Sequence, residues 1–534
     1  MSHPVLLSTL FMAVVAAGTV RAAPYRVEET SIAQLKADLA AGRVTSVELV
    51  RLYEQRIAKL NPKLHAVIAL NPDAPAQAAA SDAARKTKAP LGPLAGVPIL
   101  LKDNIETADR IATTAGSLAL AHNFTGRDSP LAHRLRAAGA IILGKTNLSE
   151  WANIRSGSSI SGWSGVGGQT RNPYAFDRNA CGSSSGSGSA AAASLAAAAV
   201  GTETDGSVTC PSAVNGLVGL KPTVGLISRT RVVPISHTQD TPGPMTRDVR
   251  DAALLLQVMA GSDPDDPATA HADAVSHDYL SGLKPGALSG VRIGVMRFAA
   301  GMPPETAAVF EQALQVLKAA GATLVEIPKF PSDTKDLGPL ENTVLMTELK
   351  ADLNAYLAST SPERVPTRTL SDLIAFDKAH AAQEMSLFGQ DLFEEAQKTA
   401  GLADPAYLKA KADAHRLAGP EGIDRMLSEN HVSALVAPTM APAWLIDPVL
   451  KDAGVFGEAG GPPAIAGYPH LTLPMGQVRG LPVGLSFIGP AWSEASLLAY
   501  GYAFEQAAHA RKPPRYRPSS VGLTTGGDVV KRAP

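Results

Sequence analysis

Apolar residues at positions 49, 53, 57 and 60 recur every three or four residues, which is the stripe of one helical face. Just before them, Thr45-Ser46-Val47-Glu48 has the spacing of a capping box, and so does Ser31-Ile32-Ala33-Gln34. Short apolar runs alternate with such segments. Residues 96–101 read as a buried strand that delivers Lys102. Residues 131–138 read as helix and 140–143 as strand. A helix over 305–320 lies between strand-like runs at 291–297 and 323–327. Further strands are expected at 434–437, 471–473 and 481–488. Helices alternating with short apolar strands predict an α/β protein. No internal repeat and no Pro/Ser linker divides the chain, so one large domain is expected over residues 27–515. The polar, Gly/Ser/Thr-rich end, residues 516–534, is expected to be a flexible tail.

The opposite end carries a different pattern. Residues 5–20 are almost wholly apolar and are followed by Val20-Arg21-Ala22, small or aliphatic at the positions that precede a cut after Ala22. This predicts a secretory signal peptide over residues 1–22, and hence export to the periplasm or beyond the cell. The alternative is an uncleaved membrane anchor, although the run is shorter than the roughly 20 residues of a membrane span.

Composition narrows the function classes. Of 534 residues, 45% are hydrophobic and 18% charged, enough for a large core. Lys plus Arg number 48 and Asp plus Glu 49, a net charge of −1, so there is no electrostatic footprint for nucleic acid or an anionic membrane. Two cysteines exclude a disulfide scaffold and any cysteine-rich zinc module. The 12 histidines include no H-E-x-x-H pattern and no paired metal spacing.

Two motifs match a pattern without its context. Gly139 to Thr146 fits G-x-x-x-x-G-K-[ST], but its apolar spacer Ala140-Ile141-Ile142-Leu143 reads as a strand, where a phosphate loop needs free backbone N–H groups. Gly182-Ser183-Ser184-Ser185-Gly186 fits G-x-S-x-G, but residues 176–181 make a poor strand to precede a nucleophile elbow. That reading would also need a histidine, and His237, His415, His431 and His470 have no distinctive surroundings.

Three segments remain. Lys102 closes an apolar strand. Alone it is either a lysine reaching the surface at a strand end or one whose burial makes it a usable base. Cys181-Gly182-Ser183-Ser184-Ser185-Gly186-Ser187 and Gly201-Thr202-Glu203-Thr204-Asp205-Gly206-Ser207 are separated by a small-residue helix and a short apolar run. Helix out and strand back can return Ser207 close to Ser183. The turn from Thr204 to Ser207 could aim successive N–H groups at one oxyanion.

The combination resembles the amidase signature family. The match continues through Gly168-Gln169-Thr170-Arg171-Asn172-Pro173, the run from Gly216 to Thr223, and Gly243-Pro244-Met245. Within that family the chain is most similar to the bacterial peptide amidases, through the runs 147–153, 181–187, 201–207, 388–390 and 418–424. Cys181, Ser185 and Asp205 stand where the commoner family pattern has glycine.

The resemblance implies a central mixed β-sheet covered by helices on both faces. It implies Ser207 as nucleophile, Ser183 as a bridging serine behind a cis Gly182–Ser183 peptide, and Lys102 as base. It places the oxyanion hole on the backbone of Thr204, Asp205, Gly206 and Ser207, and a substrate-side loop at Gly157 and Ser158. The activity implied is hydrolysis of a carboxamide to acid and ammonia, with no metal and no cofactor. The expected substrate is a small or short-peptide amide, foremost a peptide's C-terminal amide. The partners expected exclude nucleic acid, and after signal cleavage they exclude stable membrane association. Alternatives are amino-acid, aliphatic or aryl amides, the glutaminase subunit of a tRNA-dependent amidotransferase, which the signal peptide argues against, and a non-catalytic binding protein on the same fold. Cys181 and Cys210 lie near the two serines, and buried free thiols are expected there rather than a disulfide.

Overall fold

A computed structural model of the chain describes residues 25–87, 90–300, 302–332, 334–452 and 459–520. The expected signal peptide lies outside these residues, as does most of the expected tail. The fold is organised on one mixed sheet of eleven strands. In chain order these are β1 Val67–Leu70, β2 Pro98–Lys102, β3 Ile141–Thr146, β4 Ala198–Glu203, β5 Val218–Lys221, β6 Thr241–Thr246, β7 Arg292–Met296, β8 Thr323–Ile327, β9 Ala434–Pro438, β10 His470–Val478 and β11 Leu481–Ile488. Their spatial order is β1-β3-β2-β4-β6-β5-β10-β11-β9-β7-β8.

Strands β3, β2 and β4 run parallel, and β4, β6, β5, β10, β11 and β9 alternate in direction. Every residue of β2, β3, β4, β5, β6, β9 and β11 is buried. Since successive side chains of a strand point to opposite faces, burial along the whole length means that both faces are covered. The chain is thus one α/β domain with its sheet flanked by helices, as the alternation of its apolar runs predicts.

The helix Ser46–Leu64 starts where its capping spacing places it, with Thr45 Oγ1 accepting the N–H of Glu48. Helix Ser185–Ala192 is buried on all sides, which explains its composition. A Cβ at Gly186 would lie 2.5 Å from Asn147 N and 2.3 Å from Ala66 O, so only glycine allows this approach. At the carboxyl end, Tyr516 N–H donates to Pro173 O and Arg517 O accepts from Phe176 N–H, so residues 516 and 517 join the fold.

Two parts of the fold are absent from the hydrophobic pattern. Strand β6 reads Thr-Pro-Gly-Pro-Met-Thr, a composition that argues against a central strand, yet it pairs with β4 and β5. Between β8 and β9 stands a helical block that includes Leu337–Ala358, Leu370–Ala379, Asp391–Gln397 and Pro405–Ala418. Leu337–Ala358 starts on Leu-Gly-Pro and carries apolar residues all round, so no single-faced stripe announces it.

Candidate active site

Lys102 is the last residue of β2, and Thr202 is near the end of the parallel neighbour β4, so both emerge at the carboxyl end of these strands. Lys102 is wholly buried. Its Nζ lies 2.8 Å from Ser183 Oγ, 2.9 Å from Thr202 Oγ1 and 3.1 Å from Thr202 O. Asn104 Nδ2–H donates to the same Thr202 hydroxyl at 3.0 Å. Desolvation lowers the Lys102 pKa to about 7, against the opposing pull of the Asp240 and Glu203 carboxylates.

Ser183 is fully buried and follows a cis peptide after Gly182. Next to it, Ser184 Oγ donates to Thr202 O at 3.0 Å and accepts Thr202 N–H at 3.2 Å. Ser184 N–H donates to Ser207 O at 3.2 Å. The segment bearing Ser183 is thereby tied to both β4, whose Thr202 also bonds Lys102, and the turn that holds Ser207. Expected free thiols are replaced by a disulfide: Cys181 and Cys210 are bonded, with Cα atoms 6.0 Å apart. The same convergence that ties Ser184 to Ser207 brings the neighbouring cysteines within disulfide range.

The turn from Thr204 to Ser207 runs from the end of β4 to helix Thr209–Val214, and Gly206 takes φ +75°, a left-handed conformation suited to glycine. Glu203 fixes the far side of this turn: its Oε2 accepts Val208 N–H at 2.7 Å and Thr209 N–H at 2.8 Å. Those donors are thereby satisfied within the helix start. Asp240 Oδ1 accepts Thr204 Oγ1–H at 2.5 Å.

A cavity of about 780 Å³ opens at this turn. Asp205, Gly206, Gly182 and the disulfide form one side, and Phe298, Phe330, Leu337, Met440, Trp444 and Ile465 supply apolar walls. Asp205 lines the cavity and is exposed to it. Desolvation by the surrounding protein, followed by the nearby Glu341 and Glu203 carboxylates, pushes its pKa up. Gly157 and Ser158 are not brought to the cavity: both are exposed, and Gly157 N–H donates to Asp391 Oδ2 at 3.2 Å.

Residues 48–498 match the amidase family. A relative named "probable amidase" from Arabidopsis thaliana is 38% identical over 524 residues, 96% of each chain. The chain belongs to the amidase family. Among solved structures, the native peptide amidase of Stenotrophomonas maltophilia is 52% identical, with a TM-score of 0.87, covering 92% of this chain and 100% of that one. A structure of peptide amidase with the competitive inhibitor chymostatin gives the same identity and TM-score over 91% and 99%.

In this amidase the two misleading motifs are structural. Residues 141–146 are strand β3, and Lys145 is buried, donating to Ile105 O and, at 2.9 Å, to Thr113 Oγ1. Ser184, the centre of the G-x-S-x-G run, is engaged with Thr202. Of the four histidines considered, His415 and His431 are exposed. His237 is paired with Asp352 at 2.9 Å. His470 lines the cavity, but burial and the nearby Lys221 lower its pKa to about 3, and its Nε2 faces Ser486 Oγ at 2.6 Å.

The described residues do gather His237, Glu348 and Asp352, three groups whose spacing in the sequence gives no sign of their meeting. Glu348 is already engaged by Ser236, Thr238 and Tyr407. Sequence reasoning also missed Thr202, Asn104, Glu203 and Asp240. The first three were within reach, since they sit inside or beside the motifs that were read.

Proposed function

We propose that this amidase hydrolyses carboxamides through an acyl-enzyme on Ser207, with the C-terminal amide of peptides as its foremost substrate. One observation carries the mechanism: the three partners of Lys102 Nζ. A neutral amine has two N–H bonds and one lone pair. Thr202 O can only accept, and Thr202 Oγ1, with one lone pair on the Asn104 N–H, has a second lone pair for the amine, so in this reading these two oxygens take the two N–H bonds. The lone pair is left for Ser183 Oγ–H.

From that arrangement the steps follow. Ser207 Oγ attacks the amide carbon while its proton passes to Ser183 and the Ser183 proton passes to Lys102. Backbone N–H groups of the 204–207 turn receive the charge that develops on oxygen. The proton returns through Ser183 to the amide nitrogen, the C–N bond breaks and ammonia leaves. Water then attacks the ester carbonyl, its proton taking the same route, and the acid is released.

Two features support peptide amides over simple ones: the 52% identity to peptide amidase, and a cavity large enough for residues beyond the scissile amide. Export is part of this reading, supported by the apolar run over residues 5–20 and by a disulfide of the kind kept in oxidising compartments. N-terminal sequencing of protein from the periplasmic fraction should begin at Ala23.

Ammonia release from a panel of peptide amides, amino-acid amides and aryl amides tests the substrate class. The expected order has peptide amides first, with internal peptide bonds uncut. Faster turnover of free amino-acid or aryl amides would replace the peptide reading. A fluorophosphonate label appearing on Ser207 excludes a non-catalytic binding role.

A further inference from the structure

We propose that Asp240 is a positioning residue for acyl transfer, holding the oxyanion turn through the Thr204 hydroxyl and setting the electrostatic field at Lys102. The inference rests on the reading of Lys102 as base and of residues 204–207 as the oxyanion turn.

Its basis is a set of contacts. Asp240 directly precedes β6, whose Thr241 lies opposite Glu203 of β4 in an antiparallel pair, so Asp240 is held beside Thr204, the residue after Glu203. Asp240 is 9% exposed. Its Oδ2 accepts the N–H groups of Ile235 at 2.8 Å and Ser236 at 3.0 Å, which anchor the carboxylate to the backbone. Its Oδ1 is then presented to Thr204 Oγ1–H at 2.5 Å. Gln239, one residue earlier, places its Nε2–H 3.4 Å from Thr204 O. The first residue of the turn is thus gripped by its side chain and its carbonyl, while Glu203 holds the donors of Val208 and Thr209 beyond the turn's other end.

Asp240 does not line the substrate cavity. It borders a small hollow shared with Asn104, Thr202 and Thr204, and a separate cavity of about 670 Å³ shared with Arg229 and His237. Its influence on substrate therefore passes through Thr204 and through charge.

The charged groups facing Lys102 are Asp240 and Glu203, both acidic; the cation facing Asp240 is Arg229. An anion near a lysine favours the ammonium form, while burial favours the amine. Without the anion, burial would drive the amine to a still lower pKa and a weaker hold on its proton, below the range where a base works best near neutral pH.

Four variants separate the two roles, each assayed for kcat and KM across pH with a peptide amide. Thr204→Val keeps the shape and removes the hydroxyl. It should cut kcat about tenfold or more, change KM by less than about threefold, and leave the ascending limb of the pH profile in place. Thr204→Ser should restore most of that loss. Asp240→Asn removes the charge and should move the limb to lower pH by about half a unit or more, whereas Asp240→Glu should leave it closer to the wild-type position.

Wild-type kcat in Thr204→Val, or equal damage in Thr204→Ser, would overturn the positioning role. An unmoved limb in folded Asp240→Asn would overturn the electrostatic one. If Asp240→Asn fails to fold, the Thr204 pair decides the positioning role, and Asp240→Ser, which also removes the charge but keeps a group able to pair with the Thr204 hydroxyl, decides the other by the same shift of the limb. Should the wild-type enzyme itself turn over no carboxamide or lack an ascending limb, the reading beneath fails instead.

Discussion

The floor and the walls of the cavity are built on different principles. The floor, which presents Gly182, Asp205 and Gly206 to the cavity, rests on strand ends and tight turns between residues 98 and 246, where the buried side chains behind it are partnered: Lys102 by Ser183 and Thr202, Ser184 by Thr202, Thr204 by Asp240. The walls come from residues 298 to 465, with large apolar side chains on loops and helices far apart in the chain. A polar group in a low-dielectric setting costs free energy unless it is paired, so the floor tolerates few substitutions. An apolar wall requires only volume and shape, which many sequences supply. Chemistry should therefore be lost by changes to the floor, and substrate preference shifted by changes to the walls.

The sharpest break of this contrast is Ser207→Ala. It removes the proposed nucleophile but only one hydroxyl from a folded turn, so turnover should fall by roughly 10⁴-fold or more while the melting temperature stays near wild type. Single-turnover ammonia release measures it; a folded variant at near wild-type rate would move the nucleophile elsewhere.

Lys102 comes next. In the proposed mechanism the competent form is the neutral amine, so kcat/KM should rise as pH passes upward through about 7, the value to which burial brings this lysine, and then level off. At pH 5 the rate should be about one hundredth of the plateau. Lys102→Ala should lose this limb with nearly all activity, and Lys102→Arg should be equally poor, since a guanidinium keeps its proton throughout this range. An active arginine variant with an unchanged profile would show that position 102 supplies charge and not a base.

The same contrast explains what was legible in the sequence. Part of the floor was legible because Lys102 and the runs 181–187 and 201–207 carry the family resemblance, and because Ser183 and Ser207 are separated only by one helix and one strand. The sheet was legible where strands are plain apolar runs, as at residues 323–327 and 481–488. It was not legible at β6, where two prolines hide a central strand. Nor were the walls: Phe330, Met440 and Trp444 are ordinary apolar residues until the helical block and the loop after β9 fold toward β4. Asp240 was hidden for a related reason, since it acts across a strand pair and not along the chain. The cysteines misled because their separation of 29 residues says nothing about a meeting that depends on two turns.

The disulfide links the two serine-bearing segments directly, one cysteine two residues before Ser183 and the other three after Ser207. Removing it in a Cys181→Ala, Cys210→Ala double variant should relax their relative position and lower kcat about tenfold, with KM little changed. Closing a loop of this length also restricts the unfolded chain, worth about 3–4 kcal/mol in the chain-entropy account, so the variant should unfold at lower denaturant concentration. Undiminished kcat would mean that Ser184 and its hydrogen bonds hold the floor without help.

The smallest effect belongs to the wall. Phe330 stands edge-on to Phe298, with ring centroids 5.9 Å apart, and is half-buried at the cavity. Phe330→Ala removes apolar surface that a substrate side chain would cover, but no hydrogen bond of the floor. At roughly 25 cal/mol per Å² of apolar contact, a partial loss corresponds to about 1 kcal/mol, so KM for a peptide amide with a large apolar residue should rise about fivefold. For a substrate ending in glycine amide it should barely move, because no side chain reaches the wall, and kcat should be unchanged for both. If Phe330→Ala instead lowers kcat equally for the two substrates, the ring is supporting the catalytic turn, and the division between an exacting floor and a permissive wall does not hold at this position.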